Sequence, residues 1–231
     1  LPFRFAAPDR LEEGYGPNIE LVRRLKDEGT ELLITADCGV VAHSSIDEAI
    51  RLGIDTIVTD HHLQSGELPK ALAVINPNRL DETGNPHKYL CGAALVFMMV
   101  VALNRALGNP VPSKDMLALT DLVALATVAD VVPLIGLNRA FVTTGMKQMS
   151  LRQNPGLAAL CEVAAVGEAI GVRDLGFALG PRINASGRIG DYTLGAKLMA
   201  SDNPEEALAL AQELDRYNTQ RKDMQTGILE A

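Results

Sequence analysis

Three places in the sequence bring together residue types able to do chemistry. Asp60-His61-His62 sets a carboxylate beside two adjacent imidazoles. Hard oxygen with borderline nitrogen suits Mn²⁺ and its neighbours better than Ca²⁺ or a cysteine-built zinc site. Adjacent side chains at a strand end point in different directions, so one histidine can ligate while the other faces a substrate. The plain alternative is a solvated polar loop. Asp37, before Cys38-Gly39, is a carboxylate able to bridge two ions, as two-metal phosphoester hydrolases require at ~3.5–4 Å separation; the alternative is a turn or capping aspartate. Asp130 lies between the apolar runs 122–128 and 131–134. A carboxylate placed there needs a partner, whether a metal, a helix cap or an arginine such as Arg139.

The hydrophobic pattern tells what must position these residues. Ile19, Leu21, Val22 and Leu25 fall on one face of a helix over 17–28, which Gly29 stops. The apolar run 31–36 reads as a buried strand ending at Asp37-Cys38-Gly39. Ser44 or Ser45 then caps a helix that runs to Leu52 and is closed by Gly53. A second strand over 54–59 leads straight into Asp60, and a third over 71–75 ends at Asn76-Pro77. This alternation predicts an α/β fold, a parallel sheet with crossover helices. In such sheets polar groups past the carboxyl ends of the strands line the ligand crevice. From Tyr89 onward the sequence is mainly helical, with helices over 90–107, from Ser113 to about 128, 138–149 and 155–163. A last helix is capped by Asn203, with Pro204, Glu205 and Glu206 in its first turn.

Composition narrows the class without choosing a function. Net charge is −8 with a pI near 5.0, which argues against a wholesale nucleic-acid coat. A local basic groove stays open, because a carboxylate-rich site carries its own negative charge. The apolar stretch 93–103 falls well short of the ~20 residues a membrane span needs. Cys38, Cys91 and Cys161 make no even-numbered framework and no Cys-x-x-Cys pair, as expected of a reducing cytoplasm.

Asp37-Cys38-Gly39, Asp60-His61-His62 and Ala126-Thr127-Val128-Ala129-Asp130-Val131-Val132-Pro133-Leu134 resemble, in order, successive signature motifs of the DHH phosphoesterases. Further stretches narrow the likeness to the RecJ-type single-strand DNA exonucleases: Asp9-Arg10-Leu11-Glu12-Glu13-Gly14-Tyr15-Gly16, Cys91-Gly92-Ala93-Ala94 and Gly180-Pro181-Arg182-Ile183-Asn184-Ala185-Ser186-Gly187-Arg188. The resemblance implies that Asp37 bridges two Mn²⁺ or Mg²⁺ ions and that His61 and Asp130 complete the second. It has His62 face the scissile phosphate, with Asp60 behind it, and an activated water as nucleophile. It also implies 5′ to 3′ digestion of single-stranded DNA in repair and recombination, alongside a single-strand-binding protein and a helicase.

The stretch 180–188 then reads as a phosphate-contacting loop. Arg182 and Arg188 offer forked donors, and Asn184 and Ser186 offer neutral hydrogen bonds; local pairing of the arginines is the alternative. Arg10 and Tyr15 are candidates to bind or shape the substrate. Cys38 is expected to pack rather than attack, and His43 and His87 to be surface residues.

Two departures from the family pattern are visible. The paired-aspartate Asp-x-Asp motif, which supplies the rest of the first metal's ligands, is absent from residues 1–231, as is the glycine-and-histidine motif of the substrate-binding domain. The expectation is therefore a core fragment with one incomplete metal site and little activity of its own. Its plan is a DHH core over 1–135, a mainly helical completion with the arginine loop over 136–203, and the start of a linker helix over 204–231. Other DHH enzymes (oligoribonuclease, cyclic-dinucleotide hydrolase, manganese pyrophosphatase) and an inactive scaffold are the alternatives. The 180–188 stretch and Cys91-Gly92-Ala93 favour the exonuclease.

Overall fold

The computed structural model describes residues 3–8, 14–189 and 191–230, and the chain divides into two compact units, 1–111 and 112–231. The first contains α1 (Ile19–Asp27), β1 (Leu32–Ala36), α2 (His43–Arg51), β2 (Asp55–Thr59), β3 (Ala73–Ile75) and α3 (Gly92–Ala106). α1 buries Leu21, Val22 and Leu25, and Asn18 caps it by accepting the Leu21 N–H at 2.8 Å, which satisfies one of the donors a helix start leaves unpaired. The strands form a parallel sheet in the order β1-β2-β3, the predicted arrangement. Val22 of α1 and Ala49 of α2 pack with Ile54, just ahead of β2, as one small core. β2 is the sheltered centre of the sheet, with Val58 fully buried, whereas β1 is an edge strand with Leu32 and Ile34 50% and 45% exposed.

Register decides where the chemistry sits. Ala36 pairs with Thr59, so the next residues, Asp37 and Asp60, leave the sheet side by side at its carboxyl edge. The serines expected to cap α2 do not. Ala42 holds the cap position, and Ser45 instead donates its hydroxyl to the Pro17 carbonyl at 2.6 Å, tying α2 to the entry of α1.

The second unit is helical: α4 (Ser113–Ala118), α5 (Thr120–Ala129), α6 (Gly136–Ser150), α7 (Pro155–Val163), the single turn α8 (Val172–Asp174), a π-helical segment (Leu175–Leu179), α9 (Gly180–Ile189), α10 (Leu194–Ala200) and α11 (Pro204–Glu230). Leu125, Met149, Leu157, Leu160, Leu179 and Leu214 are among its core residues. α5 and α6 pack closely because Gly145 has no side chain; a Cβ there would lie 2.0 Å from the Thr120 carbonyl oxygen.

Two sequence readings change here. The helix expected from Ser113 to about 128 is two helices, with Ser113 inside the first turn after Pro112. Thr120 turns its hydroxyl back to the Leu117 carbonyl at 2.6 Å, a local bond that competes with helix continuation. The arginine loop over 180–188 is helical, running on from the π segment into α9. Its glycines disfavour helix, but Leu175, Leu179, Ala185 and Ser186 are all buried, and that burial outweighs propensity. The two compact units part ahead of α4, and within the second α5 buries its apolar face against α6.

Candidate metal centre

Asp37 is the first residue beyond β1, and its φ of 63° lies in the left-handed region, which aspartate tolerates better than most residues. Three neighbours hold it there. Its N–H donates to the Thr59 carbonyl at 2.9 Å, its own carbonyl accepts the Tyr15 hydroxyl at 2.7 Å, and Thr35 Oγ1 donates to the next carbonyl, that of Cys38, at 2.7 Å. Gly92, opening α3, lies directly against the Asp37 side chain; a Cβ at Gly92 would come within 2.5 Å of Asp37 Oδ1. The carboxylate is thereby turned toward His61, with Asp37 Oδ1 3.1 Å from His61 Nε2.

Asp60 organises the histidines from beneath. It is 1% exposed. Its Oδ2 accepts the Val40 N–H at 2.9 Å, and its Oδ1 accepts the N–H groups of His61 and His62 at 2.8 and 3.1 Å. The same Oδ1 lies 2.6 Å from His62 Nδ1. Burial works against the charge of Asp60, but the Val40 amide, the His62 ring and the His62 amide outweigh it and hold the carboxyl below the usual range. A carboxylate at that distance makes Nδ1 the protonated nitrogen, so His62 Nε2 carries the lone pair in the neutral ring. The two imidazoles stand 4.7 Å apart at 58°, and Tyr15 meets His62 edge-on at 6.0 Å. A cleft of about 690 Å³ opens beside them, lined by Tyr15, Val41, Ser44, Asp60, His62 and Leu63 among others.

The donors fit a divalent ion. Asp37, His61 and His62 each bring a ligand atom within 4.8 Å of the others'. Ligands ~2.1 Å from one ion and at right angles lie about 3 Å apart, which matches the 3.1 Å between Asp37 Oδ1 and His61 Nε2. Cys38 adds no nucleophile: burial pushes its thiol up to about 11, and the Asp60 and Asp37 carboxylates push the same way. Cys38, Cys91 and Cys161 are thiols rather than disulfides.

The other expected site residues are spread over both units. Asp130 belongs to the second, where it closes α5 as its C-cap just before Val131, whose φ is 57°. Arg182 is 14% exposed and donates through Nε to Asp215 at 2.8 Å and through Nη1 to the Ala178 carbonyl at 2.7 Å, so it braces α9 on α11. Asn184 is exposed on α9. Ser186 is buried and donates to the Ile183 carbonyl at 3.0 Å, a bond that steadies the helix. The backbone of Arg188 belongs to α9, while its side chain and all of Arg10 lie outside the described residues. Two residues that hold the site carried no functional reading in the sequence. Asn76 and Asn78 donate to the carbonyls of His62 and His61, and the only trace of them was a turn signal, Asn-Pro-Asn, after a strand.

The family model described as "DHH family, N-terminal domain" matches residues 3–127. The chain is 41% identical over 233 residues to the single-stranded-DNA-specific exonuclease RecJ of Escherichia coli (strain K12), covering 97% of this chain and 40% of the relative. It is similar to a crystal structure of exonuclease RecJ bound to manganese, with a TM-score of 0.86 and 35% identity over 96% of this chain and 55% of that one. It is also similar to RecJ of Thermus thermophilus in complex with Mn²⁺, with a TM-score of 0.80 and 34% identity over 92% of this chain and 31% of that one. The chain therefore spans about two fifths of the length of the curated relative.

Proposed function

The chain belongs to the DHH family, and from that premise we propose that it carries the metal centre of a single-stranded-DNA exonuclease working 5′ to 3′. The observation that carries the reading is the meeting of Asp37, His61 and His62 at the carboxyl edge of a parallel sheet. Asp37 and His61 would hold a Mn²⁺ or Mg²⁺ ion, with Asp37 able to bridge toward a second. Bound there, the ion would neutralise charge on the phosphate oxygens and lower the pKa of a water. His62 presents Nε2 to the scissile phosphate, its tautomer set by Asp60. Tyr15, 61% exposed at the cleft, offers a ring face to a base, since stacking on aromatics is how single strands are held without sequence preference. Arg182, Arg188, Asn184 and Arg10 are the proposed contacts to the phosphate backbone.

Within this reading the parent activity serves DNA repair and recombination, with a single-strand-binding protein and a helicase as partners. Three thiols fit a reducing cytoplasm, and no helix among the described residues is long and apolar enough to cross a membrane. The test is a Mn²⁺ titration of the protein and of its Asp37→Asn and His61→Ala variants, followed by incubation with labelled single-stranded and duplex DNA. Loss of Mn²⁺ binding in both variants, with mononucleotides released from single strands alone, is the expected result. Unchanged Mn²⁺ binding in Asp37→Asn would remove the centre from this place.

A further inference from the structure

We infer that the Asn76-Pro77-Asn78 turn is the positioning element for both histidines, an inference that rests on the metal-centre reading above. β2 and β3 stop pairing at Thr59 and Ile75, and one last backbone bond runs from the Asp60 N–H to the Ile75 carbonyl at 3.0 Å. Beyond it, side chains replace the ladder. Asn76 Nδ2 donates to the His62 carbonyl at 2.9 Å, and Asn78 Nδ2 donates to the His61 carbonyl at 2.6 Å. Asn76 is 4% exposed, and its Oδ1 accepts the Asn78 N–H at 2.7 Å, an Asx-turn across Pro77 that fixes one asparagine relative to the other. Gln64 closes the same seam, its Oε1 accepting the Leu80 N–H at 2.9 Å. Asn78 Nδ2 also donates to the Lys88 carbonyl at 3.1 Å, in the segment that leads to Gly92 and so to Asp37.

A strand end leaves peptide groups without ladder partners, and a peptide plane free to turn swings the side chain attached to it. Here each histidine is held on both sides. The N–H groups of His61 and His62 lie on Asp60 Oδ1, and their carbonyls lie on Asn78 and Asn76. With both flanking peptides fixed, only the side-chain torsions remain to aim the rings. The asparagines touch neither imidazole through these bonds and contact no substrate in this reading; they act through the backbone of the residues that do.

The test uses protein labelled with ¹⁵N and ¹³C at histidine. Of its four histidines, His43, His61, His62 and His87, His43 opens α2 and serves as the internal reference. Asn78→Asp keeps the side-chain shape and replaces the donor with a charge. In metal-free protein its His61 ring signals should move while those of His43 stay, and Mn²⁺ affinity should fall on the order of 10-fold, as for other residues that orient a ligand. A folded Asn78→Asp with unmoved His61 signals and unchanged Mn²⁺ affinity overturns the inference. If that variant does not fold, Asn78→Ser and Asn78→Ala decide: the serine keeps a donor and should retain ring signals and affinity better than the alanine, and equal values overturn the inference. Wild-type protein that binds no Mn²⁺ would refute the metal centre instead, and the ring signals would still decide the positioning role.

Discussion

Gly92→Ala should cost the protein its divalent metal while leaving it folded. A Cβ at this position would lie 2.5 Å from Asp37 Oδ1, 2.6 Å from its Cβ and 2.7 Å from its Cγ. Ordinary contacts between carbon atoms are ~3.5–4.0 Å, so the two side chains must separate by about 1 Å. The Asp37 backbone is poorly placed to yield, held by Thr59 on one side and Tyr15 on the other. Turning the carboxylate away from His61 relieves the contacts with Oδ1 and Cγ, and the contact with Asp37 Cβ, which no side-chain rotation moves, must be taken up by a shift at the start of α3. Metal–ligand distances tolerate only about 0.2 Å, so an excursion of that size removes Asp37 from the coordination shell. Overpacking of this kind costs ~1–3 kcal/mol of stability, or roughly 2–4 °C of Tm per kcal/mol at this chain length. Mn²⁺ affinity should fall at least 10-fold, about 1.4 kcal/mol. Electron paramagnetic resonance of free Mn²⁺ during titration reads the affinity, and a melt in the presence of chelator reads the fold. Wild-type Mn²⁺ affinity in a folded Gly92→Ala protein would refute the reasoning, since it would mean that Asp37 need not stand where Gly92 puts it.

Three further outcomes are expected. Asp121 is 6% exposed, and burial pushes its carboxyl up to about 6, the Leu122 amide only partly offsetting this. The folded chain then binds this proton more tightly than the unfolded one, so stability falls as pH rises from about 4 through about 6 and stays lower above. Asp121→Asn should accordingly raise Tm at pH 8 by the equivalent of up to roughly 3 kcal/mol and much less at pH 4.5; an equal gain at both would argue against burial of the charge. Arg182→Ala should lower stability by about 1–3 kcal/mol, as for a part-buried ion pair, with Asp215→Asn giving a smaller loss of the same kind. If Arg182 also contacts phosphate, the slope of log affinity for DNA against log salt shrinks by about one, and an unchanged slope confines it to bracing α9. Tyr15→Phe removes the hydroxyl that holds the Asp37 carbonyl and should weaken Mn²⁺ binding by about 0.5–1.5 kcal/mol; no change in the titration would show that the backbone holds without it.

The sheet was legible because β1 and β2 are short apolar runs that break sharply into charge, and a parallel register then carries Asp37 and Asp60 to one edge with no further information. The histidines were legible by type. What orients them was not: an asparagine that donates to a carbonyl 14 residues away leaves no periodic trace, and a glycine chosen for close approach looks like any other helix-opening glycine. The stretch 180–188 misled because local propensity pointed to a turn, whereas Leu175, Leu179, Ala185 and Ser186 bury a helical face that only the tertiary packing makes worthwhile. Ser45 misled in a similar way, as a good cap by type whose hydroxyl found Pro17 instead.

The exposed edge of β1 bears on how this protein behaves in a tube. Among the described residues β1 pairs on one side alone, with Leu32 and Ile34 half exposed, and an unpaired strand side offers a row of backbone donors and acceptors that templates pairing between molecules. Glu31 and Asp37 bracket the strand with acid, and the whole chain carries −8 at neutral pH, so copies repel one another and the edge stays solvated. That protection is colloidal, not structural. It fades as the solution approaches the pI near 5.0, and there turbidity should begin while the helical unit still gives its full circular dichroism. Storage well above that pH, at modest ionic strength, follows from the same edge.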